Sequence, residues 1–438
     1  FGIEEMSSTI IFDYPTVSLL SEYIQASCEE SVSVVNDTRS SGENIYRSTH
    51  PRFALATFGQ RGLYFLWKMD QESTNYTEMG VLDLDNLSSR FVLSYLEELH
   101  QLHEVLNVWR FFDVGKEVLL EFDFSKSIDY EFVFVEKGNL RDHIQSFVDQ
   151  PWNLEGGRFV RYRLLNEAET HSLVISWHHS IVDEYSASLF LNQLNSLFKL
   201  EKLESMPTRR FIELAELEAK ILKEQGEELK NWWKEFLSGG NTVKIEEFNG
   251  KTNTQGREHI VVSTDMFDLE RFKKETSLTN FEIVQGLFSL WSSKYFEMDD
   301  IVFVGPFSMR NHFNFTSTFG YFINQVIYRY KPNEFLGSSI SNYLKESSVM
   351  VHECQKRCVY PFQKINALYP ENKWDEITFA WLGHSTEAYE EFPVQAKTSL
   401  VFGALILAER GLEISLLFRE EQFKRDYIVR MLESFCLY

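Results

Sequence analysis

The stretch Ser176-Trp177-His178-His179-Ser180-Ile181-Val182-Asp183-Glu184 decides how this chain is read. The residues leading into it, Ser172 to Trp177, form the run expected of a short buried strand. The residues after it, Tyr185 to Leu200, carry apolar side chains at helical spacing. Two adjacent histidines and an aspartate therefore fall at a strand-to-helix junction, where side chains are presented to substrate.

Imidazole titrates near neutrality, so it can take a proton from an attacking amine or hydroxyl and return it within one cycle. The pattern points to acyl transfer without a metal or a bound cofactor. Asp183 has two open roles: to orient a histidine directly, or to pair with an arginine elsewhere and hold the loop. The alternative for the whole string is a structural histidine pair that satisfies loop backbone.

Working outward, the 438 residues exceed the size at which one hydrophobic core stops growing, so two lobes are expected with a site between them. Hydrophobic residues make up 44% of the chain and Phe alone counts 38, enough for substantial aromatic cores. The net charge of -22 argues against a nucleic-acid partner, since nothing offsets repulsion from phosphate. The 4 cysteines are too few for a disulfide framework, and none has zinc-ligand spacing with histidine, so no metal is expected. The most apolar stretch, Leu400 to Ala408, is too short to span a bilayer and reads as a buried strand. A cytoplasmic location follows, with the sequons at Asn36, Asn75, Asn86 and Asn314 read as chance.

Residues 1–26 do not read as the start of a domain, because Ile10-Ile11-Phe12-Asp13-Tyr14-Pro15-Thr16-Val17 leads into a short amphipathic helix that Pro15 opens well. Residues 27–50 are rich in Ser, Glu and Asn, as in a linker. Beyond, apolar runs at Gly80-Leu84, Val118-Phe122, Tyr130-Val135 and Leu173-Trp177 alternate with helical patterns at Leu87-Glu104 and Leu189-Leu200. This α/β (α+β) pattern predicts a mixed sheet with helices on it. Phe211 to Leu237 reads as a long charged helix, and a second lobe of similar class follows: helix Asn280-Tyr295, strands Ile301-Phe307 and Phe322-Tyr330, helix Ile340-Cys358, strand Ser399-Leu407. The lobes are placed at 51–210 and 211–438.

Five ordered stretches carry a resemblance. Thr57-Phe58-Gly59-Gln60-Arg61-Gly62-Leu63-Tyr64-Phe65, the HHxxxD string, Gly305 to Arg310 followed by Gly320 to Gln325, Tyr360-Pro361-Phe362-Gln363, and Phe418-Arg419-Glu420 with Phe423 are together similar to the motifs of condensation domains of nonribosomal peptide synthetases. The match covers nearly everything after residue 50. The first 26 residues resemble the C-terminal part of a polyketide-type acyl carrier protein, with the serine that bears phosphopantetheine upstream of the matched region. Together these imply a hybrid polyketide and nonribosomal peptide synthetase.

The resemblance implies two chloramphenicol acetyltransferase-like lobes in a V-shaped pseudo-dimer, with a tunnel entered from opposite faces by two carrier-bound substrates. It implies amide formation between an acyl donor on an upstream acyl carrier protein and an aminoacyl acceptor on a downstream peptidyl carrier protein. No cofactor is bound directly, since phosphopantetheine arms deliver both substrates. His179 is then the catalytic residue and His178 shapes the loop. Asp183 pairs with Arg310 or, as the second choice, Arg61. Glu184, Ser186 and Asn324 are tunnel-lining candidates, with backbone satisfaction as the other reading of Asn324.

Two departures qualify the match. Glu184 stands where the family has glycine, so it narrows the passage, alters its charge, or marks a domain that no longer condenses. Leu102 to Val108 resembles the family's second motif but lacks both arginines. The competing functions are a non-catalytic or gating module and an ester-forming acyltransferase.

Overall fold

A computed structural model describes residues 52–438 apart from 85–88, 168–169, 202–206, 208, 244–254, 264–268, 336, 386–397, 408–410 and 421. The carrier-like segment 1–26 and the linker 27–50 lie outside the described residues.

The chain divides into two compact units. The first runs to Ala219 and also takes in Phe313–Phe322, and the second comprises Lys220–His312 and Ile323–Tyr438. This differs from the expected division at residue 210 in two ways: the boundary falls within a helix, and a ten-residue stretch of the second half belongs to the first unit. The physical reason for the second difference is a set of buried contacts described below.

In the first unit the order is β1 (Phe53–Leu55), α1 (Phe58–Met69), β2 (Thr77–Asp83), α2 (Ser89–Leu102), β3 (Val108–Val114), β4 (Glu117–Phe122), β5 (Tyr130–Phe134), α3 (Leu140–Val148), β6 (Val160–Glu167), β7 (Thr170–His178) and α4 (Glu184–Phe198). Helix α5 (Glu213–Phe236) carries the boundary. One sheet has the order β1-β4-β3, the other β2-β7-β6-β5, with β5 parallel to β6 and the remaining pairs antiparallel.

Strand β7 is central, and Leu173 to Trp177 are buried on both of its faces. That is why its sequence is a nearly continuous apolar run and does not alternate. Phe111 stacks on Tyr64 at 5.4 Å and on Phe159 at 5.3 Å between ring centres, which ties β3, α1 and the start of β6 into one core. Each such ring contributes about 1.5–3 kcal/mol when fully buried.

The second unit holds β8 (Gln255–Val262), α6 (Leu269–Thr276), α7 (Asn280–Tyr295), β9 (Ile301–Ser308), β10 (Ile323–Tyr330), α8 (Ile340–Gln355), α9 (Phe362–Asn366), β11 (Ile377–Ser385), β12 (Leu400–Leu407), β13 (Gly411–Arg419) and α10 (Arg425–Leu437). Its sheet has the order β10-β9-β11-β12-β13-β8, with β11 parallel to both neighbours. Phe288 on α7 lies against Phe303, Phe379 and Phe402 at 5.1, 5.1 and 4.6 Å, so one aromatic side chain fastens the helix over three strands.

Candidate active site

Strand β7 ends at His178, and the chain turns through one 3₁₀ turn, His179–Ile181, before α4 begins. Asp183 is the N-cap of α4: its Oδ1 accepts from the Ser186 N–H at 2.8 Å. Its Oδ2 accepts from the Phe322 N–H at 3.1 Å, and its own N–H donates to the Gly320 carbonyl at 3.3 Å. Of the roles open to Asp183, these contacts show one that shapes the loop.

The two histidines hold opposite tautomers. His178 is buried, and its Nδ1 accepts from the Ser180 N–H at 3.2 Å and lies 2.8 Å from Ser180 Oγ. The neutral His178 ring therefore carries its proton on Nε2. In His179, Nδ1 lies 2.8 Å from the Val182 carbonyl and 3.2 Å from Oε1 of Glu78. Both are acceptors, so Nδ1 is the donor and the neutral ring has its lone pair on Nε2, the tautomer a general base needs. The His179 side chain is 13% exposed, neither sealed in nor fully solvated.

The ring is boxed in by polar and aromatic neighbours. Tyr321 meets it edge to face, with centroids 5.0 Å apart. Burial first, then Tyr76, Asp183 and Glu78, pushes the Tyr321 phenol well above its ordinary range, so it stays a neutral O–H. The His179 N–H donates to the Tyr76 carbonyl at 2.7 Å, and the Trp152 indole N–H donates to Thr77 Oγ1 at 2.8 Å. The start of β2 is thus pinned beside the histidine turn.

The other expected site residues have contacts of their own. Ser186 is fully buried, its hydroxyl donating to the Gly320 carbonyl at 2.7 Å and accepting from the Gly320 N–H at 3.0 Å. Glu184 is exposed at the first position of α4, where the helix dipole favours an acidic side chain. Arg61, the second choice of partner for Asp183, is engaged by Glu117 and donates to the Ala56 carbonyl at 2.9 Å, because α1 points it toward β4. The residue of that motif which reaches the histidine turn is its neighbour, Gln60. Fully buried, Gln60 closes a capping box with Thr57 and donates through Nε2 to the Ser180 carbonyl at 2.9 Å.

Arg310 and Asn324 belong to the second unit. Arg310 is buried just after β9. Asn324 Nδ2 donates to the carbonyls of Cys358 and Tyr360 at 2.6 and 3.1 Å, a use of the side chain that satisfies backbone. Glu78, Gln60 and Tyr321 were not singled out from the sequence as site residues. For Glu78 the available signal was its place two residues ahead of the apolar run at Gly80, on a strand pairing Thr77 with His178. No His, Cys, Asp or Glu cluster fit for a metal occurs among the described residues.

With this geometry in place, comparison with known proteins gives a family. Residues 51–437 match the condensation domain model, and the chain belongs to that family. It is 21% identical over 460 aligned positions to tyrocidine synthase 3 of Brevibacillus parabrevis, covering 98% of this chain and 7% of that protein. The chain thus spans a small part of that much longer relative. Two solved structures share the fold. One is the complex of the X-domain and OxyB from teicoplanin biosynthesis (TM-score 0.75, 15% identity, 91% of this chain and 95% of that one). The other is the condensation domain from Monacolin K polyketide synthase (TM-score 0.74, 11% identity, 89% and 97%).

Proposed function

We propose that the chain joins a carrier-bound acyl thioester to the amine of a carrier-bound aminoacyl group. The observation that supports this reading is the His179 ring, with Nδ1–H directed at Val182 and Glu78 and the lone pair on Nε2. The acceptor amine attacks the thioester carbonyl while Nε2 takes its proton, and a C–N bond forms. The adduct then expels the phosphopantetheine sulfur, the C–S bond breaks, and the imidazolium returns the proton to that sulfur. A thioester is already activated, so proton transfer is asked for about 10²- to 10⁴-fold, with the positioning of two tethered reactants adding to it.

The donor in this reading is a polyketide-type acyl chain on an upstream acyl carrier protein, and the acceptor sits on a downstream peptidyl carrier protein within a cytoplasmic hybrid synthetase. Residues 1–26 support the upstream half by their likeness to a carrier tail. The exposure of Glu184 and its favourable place at a helix start account for an acidic residue there without invoking obstruction.

The test uses two phosphopantetheinylated carriers, one loaded with an acyl chain and one with an amino acid, incubated with the chain and followed by mass spectrometry of the acceptor carrier. Amide product is expected, reduced by about 10²- to 10⁴-fold in His179→Ala. Equal product in both proteins, or none in either, overturns the reading in favour of a non-catalytic module. Product with a hydroxyl acceptor alone replaces amide by ester formation.

A further inference from the structure

We propose that Glu78 is a positioning residue for His179, holding Nδ1–H inward and strengthening Nε2 as a base. The inference rests on His179 being the base of the reaction proposed above. Three contacts fix the arrangement. The His179 N–H is bonded to the Tyr76 carbonyl, Thr77 is held by Trp152, and the β2–β7 register pairs Thr77 with His178 and Glu78 with Trp177. The Glu78 side chain thereby reaches Nδ1 at 3.2 Å.

The Val182 carbonyl at 2.8 Å shares the Nδ1–H, and the carboxylate adds something a carbonyl lacks. It carries charge. A negative group beside Nδ1 stabilises the imidazolium that appears when Nε2 takes a proton, and a neutral carbonyl does so far less. Two described neighbours, Tyr321 and Asp183, play different parts. Tyr321 is held as a neutral phenol, and Asp183, the second carboxylate near that phenol, accepts one backbone N–H on each oxygen. Glu78 is 31% exposed, so solvent screens the effect without abolishing it.

Glu78→Gln keeps the shape and removes the charge, and Glu78→Asp keeps the charge on a shorter arm. The full chain labelled with ¹³C,¹⁵N-histidine is titrated by NMR between about pH 5 and pH 9 around the free imidazole value. The His179 ring is assigned by its loss in His179→Ala, and the fold is checked by circular dichroism. The wild type is expected to show the Nδ1–H tautomer. The ring's midpoint should fall by about one pH unit in Glu78→Gln, with Glu78→Asp in between.

In the carrier assay Glu78→Gln should lose about tenfold in kcat/KM near pH 8, and its acid limb should move to lower pH, because a ring with a lower midpoint is neutral to lower pH. An unmoved midpoint, an Nε2–H tautomer in the wild type, or a rate loss with an unmoved limb overturns the proposal. If the wild type makes no amide, the reaction reading fails while the ring titration still decides whether Glu78 governs His179.

Discussion

The Asp183 carboxylate joins the first turn of α4 to the backbone of Phe322, 139 residues further along the chain. The same loop is gripped a second time by Ser186, whose hydroxyl both donates to and accepts from Gly320. Two side chains one helical turn apart thus clamp Phe313–Phe322 against the histidine turn, which is why that stretch falls in the first unit.

Asp183→Ala should cost about 1–3 kcal/mol of stability, since it strips acceptors from two backbone N–H groups. Asp183→Asn should be nearly as damaging, because an amide nitrogen must then face one of those N–H donors. Chemical denaturation followed by tryptophan fluorescence measures both, and a neutral Asn variant would contradict the clamp.

Gly320 is required for a different reason. A Cβ added there runs into the Phe211 ring, which packs edge to face on Phe322 at 5.3 Å. Gly320→Ala should destabilise by about 1–3 kcal/mol through overpacking. Phe211→Leu in the same chain should recover part of that loss, so that the two changes together cost less than their sum. Additive losses in the double-mutant cycle would show that the contact is not the cause.

Gln60 supports the turn from the far side. Gln60→Leu leaves the buried Ser180 carbonyl and the Thr57 N–H without their side-chain partner and should cost about 1–3 kcal/mol. In the proposed reaction it should also lower turnover, by loosening the turn that carries His179. Hydrogen exchange at the turn should rise in step, and turnover lost with exchange unchanged would point to another cause.

Glu218 supplies a pH signature. It is buried, accepts from the Phe58 N–H at 2.9 Å, and burial pushes its carboxyl up to about 7, against the pull of that hydrogen bond and of Arg61. A carboxyl raised in the folded state contributes stability that is complete below its unfolded value of 4.5 and is lost as pH climbs through about 7. Glu218→Gln should therefore match the wild type near pH 4 and exceed it by about 3 kcal/mol at pH 8. His100 and His103, pushed down by burial to about 3 and about 4, oppose this trend in both proteins, so the difference between them is the readout. A difference that does not change with pH would refute the assignment.

Much of this was legible in the sequence where local pattern and packing agree. Helix α7 falls on its expected bounds because Thr279 and Glu282 form a capping box ahead of an apolar face. Strand β7 was visible as an apolar run. Strand β6 was not, since Arg161 and Arg163 interrupt it: the buried Arg163 donates to Glu131 on the neighbouring β5 and to the His143 carbonyl, each at 2.8 Å. Within the second motif, Glu104 accepts from the Arg210 guanidinium at 2.9 Å, a pairing 106 residues apart that local pattern does not show.

The site divides along the same line. His178, His179 and Asp183 are contiguous and announce themselves. Glu78, Gln60 and Tyr321 reach the turn through strand register, a helix start and a distant loop, so their spacing in sequence does not tie them to the histidines.

The late arrival of Phe313–Phe322 sets an order of events during synthesis. A nascent chain that has reached Ala219 still lacks the backbone groups that Asp183 and Ser186 hold, and Lys220–His312 must be made before they appear. At ordinary elongation rates that delay is about 5–20 s. The histidine turn is therefore finished by the ribosome well after its own residues have emerged, and a gene truncated at Ala219 would encode the imidazole without the loop that secures it.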